Sequence, residues 1–238
     1  MRKYLFLFYP LCLYCIFSLP ALLVSALLYS KGTDLFIANA IATTGMALFY
    51  LRGKRRKTEG LTHLPWNRMF LLAGAFLVPI VLLIIFFTGK AWVRIDLTTY
   101  LINCLLSFFS ISLCEELLFR EFLTVRMRAA TLPRWTVLLI PALMFSLCHR
   151  PESGSLFLQR LLLGTGLGFL YQRGGMALCV SAHWVYNIVL YTFHTTLPHM
   201  TALYTASRAA LCTVLCLSFL LVSVIAYCLI ISKFARYT

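Results

Sequence analysis

The feature that most constrains this chain is the recurrence of apolar runs close to the ~20 residues that an α-helix needs to cross hydrocarbon. They fall near residues 4–29, 35–51, 69–88, 97–119, 135–149, 156–171, 176–193 and 203–231. Backbone polar groups in lipid must be satisfied within the segment, so runs of this length read as helices. Of the 238 residues, 61% are hydrophobic and 12% charged, against about 45–50% and about 25% in soluble domains. The sequence therefore predicts an all-α, polytopic transmembrane helix bundle of about eight spans, built as a single integral-membrane domain over residues 1–238.

The formal charge of +14 does not point to nucleic acid in so apolar a chain. Polytopic proteins concentrate Lys and Arg in cytoplasmic loops. With the N-terminus inside, most basic residues fall on the cytoplasmic side. The exceptions are Lys31, Lys90, Arg94, Arg150, Arg160 and Arg208. Both termini are thus expected in the cytoplasm. The longest polar stretch, residues 52–68, reads as a cytoplasmic loop resting on anionic lipid. Arg2 and Lys3 followed by an apolar run also open a signal-peptide reading, but that run exceeds the usual h-region of 7–15 residues. The nine cysteines lie mostly inside apolar runs and read as structural thiols.

Only seven acids occur in the chain. Asp34 and Asp96 immediately precede apolar runs and suit helix N-caps. Glu115, Glu116 and Glu121 instead cluster with Arg120 at the end of the run that starts at Leu97. Unpaired at mid-membrane, Glu115, Glu116 and Arg120 would cost on the order of 7–10 kcal/mol. Glu116 and Arg120 are spaced i,i+4 and can pair on one face. Glu115 points about 100° away and lacks that partner. The cluster reads equally well as the first polar turn after a span.

The next span supplies a partner. If the fourth helix runs to about Ala130 and Thr131-Leu132-Pro133 makes the turn, Glu115 and His149 each stand about 22 Å from it. Two antiparallel neighbours then bring carboxylate and imidazole to one depth. In the seventh span, His183 and Asn187 share a face at i,i+4, as either a site or interhelical hydrogen-bonding groups. Gly164 and Gly168 form a GxxxG that permits close helix packing, and Gly174-Gly175 marks a tight turn.

Glu-Glu-x-x-x-Arg at Glu115–Arg120, Phe-x-x-x-His at Phe145–His149 and His-x-x-x-Asn at His183–Asn187 follow one another on three successive segments. In this order they resemble the motifs of the CPBP family of intramembrane proteases, which includes CAAX prenyl endopeptidases and bacterial Abi-type proteins. The motif-bearing core spans about 97–193. The resemblance implies an intramembrane endopeptidase acting on a membrane-associated or lipid-modified peptide or protein. Glu115 and His149 would activate water, and His183 and Asn187 would stabilise the oxyanion. Glu116, Arg120 and Phe145 would support them, Arg120 by neutralising Glu116. The family has been described both as metal-dependent and as glutamate-dependent. A glutamate-dependent mechanism without a cofactor is the expectation here. If zinc is used instead, Glu115, His149 and His183 are its ligands, although no HExxH spacing is present.

The expected partners are the bilayer and the peptide substrate, with no nucleic acid, and the expected location is a bacterial cytoplasmic membrane. Two other function classes compete. A non-catalytic immunity or binding protein on the same scaffold would survive loss of Glu115. A transporter or proton relay would also use buried Glu and His, but no inverted repeat or paired broken helices support it.

Overall fold

Asp34 and Asp96 start two of the helices, as their positions suggest. The Asp34 Oδ1 accepts from the Phe36 and Ile37 backbone N–H groups at 2.9 and 3.2 Å. Asp96 accepts from the Thr98 N–H and the Thr99 hydroxyl at 3.1 and 2.6 Å. That second bond is the main reason its carboxyl is held below the ordinary value. Each cap satisfies N–H groups that a first helical turn leaves open.

A computed structural model describes residues 5–53, 95–149, 151 and 154–196. The described residues form helices and their connections, with no strand among them. They comprise α1 (Leu5–Ser30), α2 (Leu35–Gly53), α3 (Leu97–Ala129), α4 (Arg134–Cys148) and α5 (Gly154–Thr196). The expected spans at 69–88 and 203–231, and nearly all of the basic loop at 52–68, lie outside the described residues. Leu97–Ala129 is long and apolar enough to cross a membrane, and Leu35–Gly45 and Arg134–Cys148 are shorter apolar stretches.

Two boundaries position the site. Beyond the apolar run that closes at 119 the helix continues to Ala129, next to the Ala130 end supposed from the sequence, so Glu115 lies well inside a helix of 33 residues instead of at its polar exit. The polar groups that suggested an exit find partners on α5, and the helix does not need to stop for them. The runs at 156–171 and 176–193 form the two helical halves of a kinked segment. Gly175 breaks it with φ 75° and ψ −169°, a conformation that glycine adopts without the Cβ penalty. The expected turn is therefore a one-residue kink.

α3 is not uniform. Asn103–Ser107 and Leu117–Thr124 are π-helical, a geometry that widens the helix and releases carbonyls from the α ladder. The Cys104 carbonyl accepts from the Trp184 indole N–H at 2.6 Å. The second π segment begins directly after Glu116.

α2 packs between α1 and α3, tied by Ser25 to Asn39 at 2.8 Å and by Thr44 to Ser110 at 2.6 Å. α4 packs against the first half of α5 at Gly164 and Gly168. A Cβ added at Gly164 would stand 3.0 Å from the Ala142 Cα, and one at Gly168 2.7 Å from the end of the Leu138 side chain. The first obstacle is backbone and the second a mobile methyl. Gly164→Val is therefore expected to cost about 1–3 kcal/mol, and Gly168→Ala less. Thermal unfolding of the two variants in detergent measures the difference.

Candidate active site

α4 has only 15 residues, about 22 Å, and its C-cap residue, His149, reaches the level of Glu115 on α3. The His149 Nε2 lies 3.5 Å from the Glu115 Oε1. His183, eight residues beyond the Gly175 kink, lies with its Nε2 3.7 Å from the Glu115 Oε2. Two of the other three residues singled out as catalytic thus converge on the Glu115 carboxylate.

The two imidazoles are oriented by their other nitrogens. The His149 Nδ1 lies 2.7 Å from the Phe145 carbonyl, and the His183 Nδ1 lies 2.8 Å from the Glu116 Oε1. Carbonyl and carboxylate accept, so each Nδ1 carries the hydrogen. Each Nε2 then turns towards Glu115, whose Oε2 is buried without a hydrogen-bond partner. Two imidazole nitrogens and a carboxylate facing one another in this way require a proton or a water between them to satisfy their lone pairs.

Glu116 supports this arrangement and does not face the same space. It is fully buried and lies 3.0 Å from the Arg120 Nε. It also accepts from the Cys179 thiol at 2.8 Å and from His183. Arg120, 1% exposed, donates in addition to the Gly164 carbonyl at 3.2 Å. The close helix approach at Gly164 is what places that carbonyl within reach. Phe145 is the hydrophobic wall: its ring lies 4.4 Å from the His149 ring, 5.7 Å from His183 and 5.4 Å from the Arg120 guanidinium carbon.

Asn187 stands one turn beyond His183, and its amide donates to the Ser112 hydroxyl at 3.1 Å. One of its two N–H bonds remains for another acceptor. No contact joins Asn187 to Glu115.

The sequence reading did not assign Cys179, Ser112 or Arg160. Cys179 lies at i−4 from His183 and Ser112 at i−3 from Glu115, so helical spacing places both on functional faces. Arg160 donates to the His149 carbonyl at 3.1 Å. Glu121, also unassigned, accepts from the Tyr171 hydroxyl at 2.8 Å, away from the Glu115 cluster.

Exposure falls from His149 at 29% through Glu115 at 16% to His183 at 2%. The site therefore opens on the His149 side and is closed behind His183. The donor types suit zinc. Among the described residues, however, no group of three His, Cys, Asp or Glu side chains closes around a point as a metal ion requires.

Comparisons with curated proteins and with solved structures give no match. Residues 97–189 match the family described as type II CAAX prenyl endopeptidase Rce1-like. The matched stretch contains all three motifs and every residue of the Glu115 cluster. Over these residues, which carry all of the site, the chain is similar to that family.

Proposed function

We propose that this protein is a glutamate-dependent intramembrane endopeptidase that hydrolyses a peptide bond of a membrane-associated, lipid-modified protein or peptide. The observation that carries the reading is the Glu115 carboxylate facing two imidazole Nε2 atoms, at 3.5 and 3.7 Å, in a buried site that opens on one side. A prenylated chain end is the substrate class that the family description suggests.

Glu115 takes a proton from a water held between it and His149, and the resulting hydroxide attacks the scissile carbonyl carbon. Negative charge develops on the carbonyl oxygen. The free N–H of Asn187 and the His183 imidazole stabilise it, with Glu116 fixing the orientation of the His183 ring. Glu115 then returns the proton to the departing amine, which breaks the C–N bond. No metal enters this sequence.

The reading includes the topology: about eight spans, both termini cytoplasmic, in a bacterial cytoplasmic membrane. Reporter fusions at each terminus and in the loop at 52–68 test that orientation, and cytoplasmic signals are expected from all three.

The experiment that tests the activity is cleavage of prenylated and unmodified peptides by the purified protein in liposomes, with and without a chelator. The expected result is cleavage that favours the lipid-modified peptide and persists in chelator. Loss of cleavage in chelator, restored by zinc, would overturn the metal-free mechanism. Absence of cleavage with every substrate would overturn the peptidase reading.

A further inference from the structure

The polar face of α5 does not end at the site. Asn187 and Tyr191 follow His183 at i+4 and i+8, on one face of the helix. Each meets a polar group of α3. Asn187 donates to the Ser112 hydroxyl at 3.1 Å, and the Tyr191 hydroxyl accepts from the Asn103 amide at 3.1 Å. Ser112 and Asn103 are both fully buried. Such groups in a membrane helix either join helices or line a wet path.

The far end of this seam carries an unmatched pair. The Asn103 Oδ1 is buried without a hydrogen-bond partner. The Tyr191 hydroxyl accepts from Asn103 and has its own hydrogen left to donate. Turning the amide over would let Tyr191 donate to Oδ1 and would leave the NH2 group unmatched instead. Either orientation therefore leaves one polar end of Asn103 open. Helix joining needs one hydrogen bond here and does not account for the other end. Buried water meets such groups, with two to four hydrogen bonds of its own.

The surroundings keep lipid away from this pair. The Tyr100 ring stacks on that of Tyr191 with centroids 5.6 Å apart, and Phe36 and Phe108 stand edge-on to Tyr191 at 5.2 and 5.0 Å. Asn103 also opens the first π segment of α3, a geometry frequent at functional positions. Four residues before Tyr100, the cap residue Asp96 is exposed, so the seam starts close to the surface. At its inner end stands the Glu115 Oε2, which likewise has no hydrogen-bond partner.

We propose that Asn103 and Tyr191 hold a buried water, and that the seam from Tyr191 through Asn187 to His183 supplies water to Glu115 from the start of α3. The supply role rests on the peptidase reading above, whereas the water site does not. A peptide seated at the open side covers His149, and the water consumed in each turnover then has to arrive from behind His183. Between Tyr191 and His183 the seam offers the Ser112 hydroxyl and the free N–H of Asn187 as stepping points. Asn103 and Tyr191 are positioning residues in this scheme, remote from the reacting atoms.

Asn103→Leu separates water supply from helix joining. It removes the open polar end together with its hydrogen bond to Tyr191, so thermal unfolding in detergent is expected to stay close to that of wild type. Turnover of a lipid-modified peptide in liposomes is expected to fall by about tenfold in kcat, the worth of one hydrogen bond, with KM unchanged. An unchanged kcat would overturn the supply role. A fall in kcat that only follows a fall in stability would overturn it as well, because the seam would then only join α3 to α5.

The water itself is read without turnover. Brief X-ray radiolysis converts bound water to hydroxyl radicals, and mass spectrometry locates the side chains oxidised beside it. In lipid nanodiscs, buried Tyr100 is expected to be oxidised in wild type and in Glu115→Gln alike. Asn103→Leu is expected to lower that yield by about fivefold or more, as loss of a buried water requires. Tyr29, exposed at the end of α1, serves as the unchanged reference. No oxidation of Tyr100 in wild type, or equal oxidation in Asn103→Leu, would overturn the water site. If no peptide is ever cleaved but the oxidation depends on Asn103, the water site stands and the peptidase reading falls.

Discussion

Glu115→Gln is expected to lower kcat/KM for a lipid-modified peptide by about 10³-fold while leaving the fold nearly unchanged. The size follows from the role: a positioned general base contributes about 10²–10⁴-fold, and glutamine cannot accept the proton of water. The sparing of the fold follows from the geometry. The Glu115 Oε2 has no hydrogen-bond partner and lies 3.7 Å from the His183 Nε2, while Oε1 lies 3.5 Å from the His149 Nε2. An amide of the same shape can donate to one of those lone pairs. Thermal unfolding of the variant in detergent is expected to lie within about 1 kcal/mol of wild type. His149→Ala is expected to cost about 10²-fold, and Glu115→Gln combined with His149→Ala little more than Glu115→Gln alone, because residues that activate one water act as a unit. Activity of Glu115→Gln within tenfold of wild type would remove Glu115 from the proton-transfer step. The binding-protein reading of the same scaffold predicts no cleavage by wild type or variant, so the pair separates the two.

Much of this arrangement was legible before any coordinates. The depth match between Glu115 and His149 required only a helix rise and a turn at Thr131-Leu132-Pro133, and both are present: Thr131 adopts φ 57° between α3 and α4. Gly164 and Gly168 announced the close approach of α4 and α5, because a small residue every four places leaves a groove on one face. The acids before Leu35 and Leu97 announced their helices because caps are local chemistry.

What was not legible depends on partners distant in sequence. Arg120 and Glu121 read equally well as a polar exit from the membrane until Gly164 and Tyr171 on α5 are known to receive them. Periodicity also cannot reveal a π segment, since it assumes 3.6 residues per turn throughout. The break between two apolar runs at Gly174-Gly175 was legible, but the angle between the helices on either side was not. A Gly-Gly pair signals a break in conformation, but the change of direction it produces depends on ψ as well as on φ. Glu116 was assigned to Arg120 alone, whereas it also holds His183 by the nitrogen that faces away from Glu115. That link changes its meaning: Glu116 sets the orientation of a ring that meets the reactive carboxylate.

The same link makes Arg120 the residue whose loss is expected to damage the fold most. Arg120→Met is expected to destabilise the protein by about 3–5 kcal/mol, the usual cost of leaving one member of a buried ion pair behind. Glu116 is 0% exposed and would retain only the Cys179 thiol and the His183 Nδ1 as partners. Glu116→Gln alone leaves the guanidinium with the Gly164 carbonyl and the face of Phe145, and a cost of similar size follows. Glu116→Gln combined with Arg120→Met removes both charges together. It is expected to be clearly more stable than the sum of the single effects predicts, by about 1–3 kcal/mol, because neither charge is left unmatched. Activity is expected to behave differently. The side-chain amide introduced by Glu116→Gln can still accept from His183, but it holds the ring less firmly than a carboxylate does. The combined variant is therefore expected to regain folding without regaining full turnover. Thermal unfolding in detergent and peptide cleavage on the same four proteins measure the two effects separately. Additive losses of stability would show that the pair is not coupled, and recovery of activity in step with stability would show that Glu116 acts only through packing.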